Sequence, residues 1–182
     1  YQIGNLSFLS QRIGHTVVCD FRVQDVSCNG QGAPLVPIGD RLLFSDYDYC
    51  INLGGFANIS SECKGDRMAY DICPVNIVMN RFAEQLGLDY DEDGLIAKSG
   101  HINYRLLELW NTLEYYKQLP PKSLGSEWVE SEVFSVLTSF DISPSDVLRT
   151  FVEHVAIQIS RTFTENSKVL FTGGGTFNSF LL

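Results

Sequence analysis

Short extended runs of apolar residues, without helical periodicity, dominate the first half of the chain and predict β-strands. Residues 49–53 and 56–60 flank two adjacent glycines, which is the pattern of a β-hairpin. Residues 67–71 follow as a third strand, and residues 16–20 form an earlier apolar run of strand length. The sequence therefore predicts a small sheet built around one hairpin.

Helical periodicity replaces this pattern in the second half of the chain. Pro74 suits the first turn of a helix that runs to about Leu86. Residues 102–116 repeat apolar side chains at three- and four-residue intervals, which is typical of a helix with one buried face. Residues 126–140 are predicted as a further helix.

The segment from Ser143 carries a strong helix start signal, with Ser143 as N-cap, Pro144 in the first turn and Asp146 close behind. Apolar side chains then recur every four residues: Val147, Phe151, Val155, Ile159 and Phe163. Residues 168–171 form a last strand, followed by three glycines and an apparent helix at the end of the sequence. This order of strands and helices predicts an α/β fold with a mixed sheet.

Composition and charge exclude several classes of function. The 182 residues are 45% hydrophobic with a net charge of −9, so the chain can bury a core but lacks the basic face that nucleic acids or anionic membranes require. No apolar run approaches the ~20 residues of a membrane span. The first residues, Tyr1 to Gly4, have no signal-peptide character. We therefore expect a cytoplasmic protein without nucleic-acid or membrane partners.

Metal and disulfide chemistry is also not indicated. Five widely spaced cysteines, an odd number, favour reduced thiols over disulfides or a zinc site. Residues 89–94 resemble the front of a calcium loop, but Gly100 stands where the loop needs a glutamate, so we interpret them as a solvated loop. No P-loop, dinucleotide fingerprint or nucleophile elbow occurs.

Two glycine-rich turns are candidates for ligand binding. Gly54 and Gly55 at the hairpin tip would let backbone N–H groups face a phosphate, although a glycine pair also makes an ordinary hairpin turn. The three glycines that begin at Gly173 would let a flat ligand lie against the backbone, with anions favoured at the N-terminus of the following helix. The alternative is a tight strand-to-helix turn, for which three glycines are entropically costly.

Charged residues after two strands are further candidates. Asp20, Arg22 and Asp25 follow residues 16–20, at the strand end where α/β proteins bind ligands, or they form an ion pair and a helix start. Asp71 follows an apolar strand and precedes the helix predicted at Pro74. It is either a general base that points into a cleft or the N-cap of that helix, and both roles are compatible.

Taken in order, these motifs resemble anhydro-N-acetylmuramic acid kinases over nearly the whole chain. The matching motifs are YQIG at 1–4, DFRxxD at 20–25, GQGAPLVP at 30–37, NLGGFAN at 52–58, YDxxPxN at 70–76, PPKSxG at 120–125 and TGGGxxN at 172–178. GQGAPLVP followed by NLGGFAN is a specific combination, whereas TGGG alone is not.

The resemblance implies an actin-like ATPase (ribonuclease H-like) fold of the α/β class, with a mixed sheet and packed helices, as a fragment of a two-lobed kinase. It implies ATP-dependent phosphorylation of 1,6-anhydro-N-acetylmuramic acid, with hydrolytic opening of the anhydro ring, to give N-acetylmuramic acid 6-phosphate in cell-wall recycling. Mg²⁺ would be held mainly through the ATP phosphates and not at a separate protein metal site. A homodimer is compatible with the family.

The resemblance also assigns residues. Asp71 matches the family's general base, and Asp25 is the second candidate for that role. Arg22, Asp25 and Asn76 are the expected substrate contacts. The expected ATP contacts are those of the second phosphate-binding motif and the adenosine motif: Asn52, Gly54, Gly55, Asn58, Gly173, Gly174, Gly175 and Asn178.

The chain departs from the family in two respects. The family's Asp-Thr-Gly-Pro-Gly-Asn motif reads Asp71-Ile72-Cys73-Pro74-Val75-Asn76, so the threonine and both glycines are replaced. The N-terminal phosphate-binding hairpin and the C-terminal end of the family are expected to lie outside this sequence. We therefore expect a partial sugar kinase, with the end of the N-terminal lobe at about 1–40 and most of the C-terminal lobe at about 41–182.

Two alternatives to a complete catalytic role stay open. The isolated 182-residue polypeptide is expected to show no turnover, because its residues cannot close an ATP site. A non-catalytic relative that binds a sugar or a nucleotide would fit the altered motif at 71–76. A filament-forming actin-like protein would fit the fold but not GQGAPLVP.

Overall fold

The computed structural model describes residues 8–30 and 32–182. The motif at 1–4 lies outside the described residues, as does Gln31 within GQGAPLVP. The chain forms two compact units, Tyr1–Leu35 and Val36–Leu182. Each unit is described by itself below.

The first unit contains two short helices, α1 (Leu9–Ile13) and α2 (Phe21–Ser27). Residues 16–20, predicted as a strand, have no regular structure, and that prediction is wrong. A strand needs a neighbour for its backbone groups, and no other strand among the described residues pairs with this run. Helix α2 begins directly after Asp20, which confirms the predicted helix start.

The second unit is built on a four-stranded mixed sheet. Its strands are β1 (Tyr49–Leu53), β2 (Phe56–Cys63), β3 (Asp66–Pro74) and β4 (Val169–Thr172), in the order β3-β2-β1-β4. β1 and β4 are parallel, and the other pairs are antiparallel. The predicted hairpin, third strand and last strand are therefore confirmed.

Helices in this unit are α3 (Pro37–Leu43), α4 (Asn76–Glu84), α5 (Leu95–Ser99), α6 (Tyr104–Asn111), α7 (Ser126–Trp128), α8 (Ser135–Leu137) and α9 (Pro144–Ser160). A π-helical turn, Val129–Phe134, joins α7 to α8. Tighter 3-10 turns cover Glu92–Gly94, Glu114–Lys117 and Gly174–Phe177. The helix predicted at 126–140 is confirmed, whereas the one predicted at 102–116 ends early in a 3-10 turn.

Helix α9 begins at the predicted position, directly after Ser143, and it packs over the sheet. Ser143 Oγ accepts a hydrogen bond from Asp146 N at 3.2 Å, as expected for an N-cap. The helix packs against β3 and against α4, α5 and α6. Its buried side chains join those of β1 and β2 in one apolar core, in which Trp110 lies edge-on to Phe151 with ring centroids 5.2 Å apart.

The start of α4 differs from the prediction. Pro74 is the last residue of β3, and Asn76 is the first residue of the helix. The backbone N–H of Asn76 donates to Gly54 O at 3.2 Å, and that of Val75 donates to Gly55 O at 2.8 Å. Carbonyl groups of the hairpin tip therefore accept the hydrogen bonds of the first helix amides. Pro74 is not part of the helix, and no side chain caps it.

Candidate functional site

A row of polar residues crosses all four strands of the sheet. Thr172 lies opposite Asn52, Asn52 opposite Asn58, and Asn58 opposite Asp71 in the strand registers. Residues directly opposite each other project from the same face of a sheet, and Asn52 Nδ2 donates to Thr172 Oγ1 at 3.3 Å. Asn52 alternates with buried core residues of β1, so the row lies on the face away from that core.

The row reaches the carboxyl ends of the parallel strands β1 and β4. In α/β sheets, ligands bind just outside this edge. The hairpin tip and the three glycines follow these two strand ends directly. The structure thus brings together the two glycine-rich turns that lie 120 residues apart in the sequence.

The hairpin glycines do not use the left-handed backbone that a glycine pair allows in a tight hairpin turn. Both Gly54 and Gly55 have ordinary φ values, and their carbonyl groups accept hydrogen bonds from the start of α4. A Cβ at Gly55 would meet only the Ile77 Cβ, at 3.9 Å. Packing therefore does not require glycine at this position. The absence of a side chain at Gly55 instead leaves the backbone open, so that a ligand can approach it closely.

The three glycines after β4 have different physical roles. Gly173 has φ +87°, and a Cβ there would lie 2.7 Å from Leu53 O. A Cβ on Gly175 would lie 2.7 Å from Leu53 Cβ, so packing against β1 requires both glycines. At Gly174 the nearest atom would be Asn76 Nδ2, at 4.0 Å. Packing therefore does not explain Gly174, and its backbone is open to a ligand.

The helix expected after these glycines is not formed. Gly174–Phe177 is a single 3-10 turn, and residues 179–181 form a further turn. A turn this short has no aligned dipoles to attract an anion. The open backbone of Gly174, and not a helix N-terminus, is the feature that could contact a ligand.

A cavity of about 530 Å³ lies beside Gly174. Its walls come from α4, from the loop before α5 and from the glycine turn: Asn76, Met79, Asn80, Tyr90, Asp91, Glu92, Asp93, Gly174, Gly175, Phe177 and Asn178. Two aromatic side chains in this wall are largely exposed, Phe177 at 81% and Tyr90 at 59%. Exposed rings beside open backbone can stack on a flat ligand.

The loop before α5 agrees with the interpretation of residues 89–94 as a solvated loop, because four of its six residues are exposed, but one of its acidic side chains is not. Asp91 is buried, and its carboxylate accepts hydrogen bonds from Ile96 N at 2.8 Å and Ala97 N at 2.9 Å. Asp93 adopts φ 54°, in the left-handed region, and accepts a hydrogen bond from Ser179. The only sequence signal for these ordered contacts is a glycine after three acidic residues, and that pattern is equally typical of a surface loop without such contacts.

Asn76 joins the two glycine-rich turns. Its Nδ2 donates to Leu53 O at 3.4 Å, and it lines both the cavity at Gly174 and a second cavity of about 560 Å³ at Gly55. Asn76, predicted as a substrate contact, thus lies beside the predicted ATP contacts. Asn178, predicted among those contacts, is buried in the same cavity wall, and its Oδ1 accepts a hydrogen bond from Leu181 N at 3.0 Å.

Asp71 lies within β3 and is only 7% exposed. Its Oδ2 accepts a hydrogen bond from Leu124 N at 2.8 Å. Burial raises the pKa of Asp71 above the usual range of an aspartate, and the Leu124 amide offsets part of that rise. The N-cap role is wrong, because Val75 occupies that position without a side-chain cap. Asp71 is not among the residues that line the two cavities.

The replaced positions of the Asp71–Asn76 motif point into the core. Ile72, Cys73 and Val75 are all buried members of the apolar cluster, and burial raises the pKa of the Cys73 thiol. Their side chains therefore add nothing to a surface that a ligand would contact. Cys73 acts as a packing residue of the core.

Arg22 and Asp25 lie on α2 in the first unit. Arg22 Nη1 donates to Gly32 O at 2.5 Å, and Asp25 Oδ2 accepts from Gly32 N at 2.7 Å. Both side chains thus hold the peptide groups of one glycine in the GQGAPLVP segment. This arrangement replaces the ion pair that was the alternative interpretation.

Over residues 8–30 and 32–182, no group of three or more His, Cys, Asp or Glu side chains could hold a metal ion. Within the same part of the chain, no helix is long and apolar enough to cross a membrane.

Comparison with known proteins gives one consistent result. The model of the family described as anhydro-N-acetylmuramic acid kinase matches residues 1–182. Relatives of that name from Zymomonas mobilis, Vibrio cholerae and a Sulfurovum species are 36%, 35% and 35% identical to the chain. The alignments cover 98%, 100% and 100% of the chain, and 50%, 52% and 53% of the relatives. The chain thus spans about half the length of the curated relatives it matches.

Proposed function

The chain belongs to the anhydro-N-acetylmuramic acid kinase family, and from this we propose that its protein uses ATP to phosphorylate 1,6-anhydro-N-acetylmuramic acid. The product is N-acetylmuramic acid 6-phosphate, formed with hydrolytic opening of the anhydro ring, and the reaction serves cell-wall recycling in the cytoplasm. The observation that carries this proposal is the meeting of both glycine-rich turns at Asn76, beside a cavity of nucleoside size.

The nucleoside of ATP fits the cavity at Gly174. The base would stack on Phe177 or Tyr90, and the open backbone of Gly174 would contact its flat face. The triphosphate would extend towards Gly55 at the hairpin tip, past Asn76. Phosphoryl transfer depends mainly on such positioning and on charge stabilisation. Mg²⁺ would be held mainly by the ATP phosphates, and it would neutralise the charge that develops during transfer.

Asp71 is the proposed general base, with Asp25 as the second candidate. The carboxylate takes a proton from a water molecule as the water oxygen bonds to the anomeric carbon. The bond between that carbon and O6 breaks, and O6 bonds to the γ-phosphorus while ADP leaves. A buried carboxylate with a raised pKa suits this role, because it holds the proton more readily than an exposed one.

The chain would supply part of each lobe of such a kinase. We assign the end of the N-terminal lobe to about residues 1–40 and most of the C-terminal lobe to about residues 41–182. Arg22 and Asp25 would contact the sugar from the first of these segments. The remaining phosphate contacts would come from parts of the family's length that this chain does not span.

We expect Phe177→Ala to weaken ATP binding about tenfold, because base stacking contributes about 1–3 kcal/mol. Isothermal titration of the full-length protein with ATP measures this. The matched control is Tyr104→Ala, which removes an equally exposed ring (75%) from α6, outside the cavity wall. Equal affinities for the two variants would show that the base does not stack on Phe177.

The function is tested by ADP release from the full-length protein that contains this chain. ATP, Mg²⁺ and 1,6-anhydro-N-acetylmuramic acid should together release ADP, and omission of the sugar should abolish the release. Mass spectrometry should find the 6-phosphate sugar with one added water. Tight binding of sugar or ATP without any ADP release would instead establish a non-catalytic binding protein.

A further inference from the structure

Three polar groups of Asp71 are bound by one segment of the chain. The backbone N–H of Asp71 donates to Lys122 O at 3.1 Å, and the Asp71 carbonyl accepts from the Tyr115 hydroxyl at 2.5 Å. The Asp71 carboxylate accepts from Leu124 N at 2.8 Å. The partners all lie between residues 115 and 124, which are more than 40 positions away in the sequence.

The strand position of Asp71 explains why such partners are needed. β3 lies at the edge of the sheet that the described residues form, so within residues 8–30 and 32–182 no strand binds the peptide groups of Asp71 that point away from β2. The register between β2 and β3 also shifts next to Asp71, where Asn58 pairs with Asp71 but Ala57 pairs with Cys73. An irregularity of this kind re-aims a side chain, so the direction of the Asp71 carboxylate depends on the other contacts that hold it.

Tyr115 is itself held firmly. It is buried, its ring packs against Trp128 with centroids 5.3 Å apart, and Lys122 Nζ lies 4.4 Å from the ring centroid. Lys122 Nζ also donates to Tyr115 O at 3.0 Å. Burial, with the nearby Asp71 charge, raises the pKa of the Tyr115 hydroxyl, so the hydroxyl stays a donor at working pH.

We propose that Tyr115 and the turn from Lys122 to Leu124 form a clamp that positions the Asp71 carboxylate for proton abstraction. The inference rests on the proposed function, in which Asp71 is the base. Tyr115 acts through the backbone of Asp71 and touches no reacting atom, so it is a positioning residue. Leu124 N fixes the carboxylate itself, and Lys122 holds Tyr115 in place.

The test compares Tyr115→Phe with Tyr116→Phe in the full-length protein. Tyr116 is the matched control, because it is the neighbouring residue and packs on the same Trp128. Its hydroxyl lies 2.9 Å from His154 Nε2 and makes no hydrogen bond with Asp71. Each variant loses one hydrogen-bonded hydroxyl and keeps its ring, so both should lose similar thermal stability.

Only Tyr115→Phe should change catalysis. We expect its kcat to fall about 10- to 100-fold, since a misplacement of about 1 Å can reduce the rate that far. The KM values for ATP and sugar should stay within about twofold, because the clamp touches neither ligand. Tyr116→Phe should keep the wild-type kcat at temperatures where it is folded.

Three other outcomes would contradict the inference, the role of Asp71 or the proposed function. If Tyr115→Phe keeps the wild-type kcat, or loses no more than Tyr116→Phe, the clamp is only structural and the inference is wrong. If Asp71→Asn is as active as wild type, Asp71 is not the base and the clamp has nothing to position. If the wild-type protein releases no ADP with sugar, the proposed function fails, and the inference fails with it.

Discussion

Asp71→Asn in the full-length protein is expected to lower sugar-dependent ADP release at least ~10³-fold, the scale that loss of a general base can reach. The fold should survive, because the asparagine oxygen can still accept the hydrogen bond from Leu124 N. What disappears is the ability to take a proton. Initial rates of ADP release, with thermal melting as the check on folding, measure the effect.

Two further variants make this result specific. Asp48→Asn is the matched control, because Asp48 Oδ2 likewise accepts one backbone hydrogen bond, from Lys168 N at 2.7 Å, at the start of β1. It should keep full activity. Asp25→Asn tests the second candidate for the base. A large loss in Asp25→Asn with little loss in Asp71→Asn would transfer the role to Asp25.

The pH dependence of the wild-type rate follows from the same residue. Burial raises the pKa of Asp71, so the carboxylate gains its proton at a higher pH than an exposed aspartate does. Activity should therefore fall as the pH drops through this raised pKa, with its acidic limb above the usual range of aspartate. An acidic limb of the pH–rate profile in the usual pKa range of an exposed aspartate would contradict the assignment of Asp71 as the base.

Gly173→Ala should destabilise the chain by about 2–4 kcal/mol, through backbone strain and overpacking. The φ of +87° disfavours any side chain, and the new Cβ would lie 2.7 Å from Leu53 O and 2.9 Å from Leu53 C. Both contacts are with the backbone of β1, which cannot move without breaking the pairing with β4. Urea denaturation gives the free energy of unfolding directly.

The neighbouring glycine supplies the control. Gly174→Ala has open space around the new Cβ, so its free energy of unfolding should change by less than about 0.5 kcal/mol, as for a substitution without a steric clash. It should weaken ATP binding, because the methyl group would cover the open backbone. Equal destabilisation by both variants would show that packing explains all three glycines.

Local signals predicted those parts of the fold that local interactions determine. The hairpin around Gly54 and the cap at Ser143 are formed by residues close in sequence, and both are confirmed. The start of α4 depends instead on carbonyl groups of the hairpin, more than 20 residues away. A proline near the right position was therefore a misleading signal.

The candidate site likewise contains residues that sequence motifs indicated and residues that only the fold brings together. The family resemblance named Gly174 and Asn178 as ATP contacts and Asn76 as a substrate contact. All three line the cavity at Gly174, and their roles as contacts stay predictions. It missed Tyr90 and Asp93, whose segment has the composition of an ordinary polar loop. The contact between Tyr115 and Asp71 joins two residues 44 positions apart and could be found only in the fold.

Helix α4 forms part of the wall of both cavities. Asn76 and Asn80 line both of them, and the first amides of the helix are tied to the hairpin tip. In the binding mode proposed above, the base of ATP and its phosphates would therefore contact opposite sides of one helix. A substitution that tilts α4 would then alter both ends of the nucleotide site together, whereas a substitution in the wall of one cavity away from α4 would alter only one end.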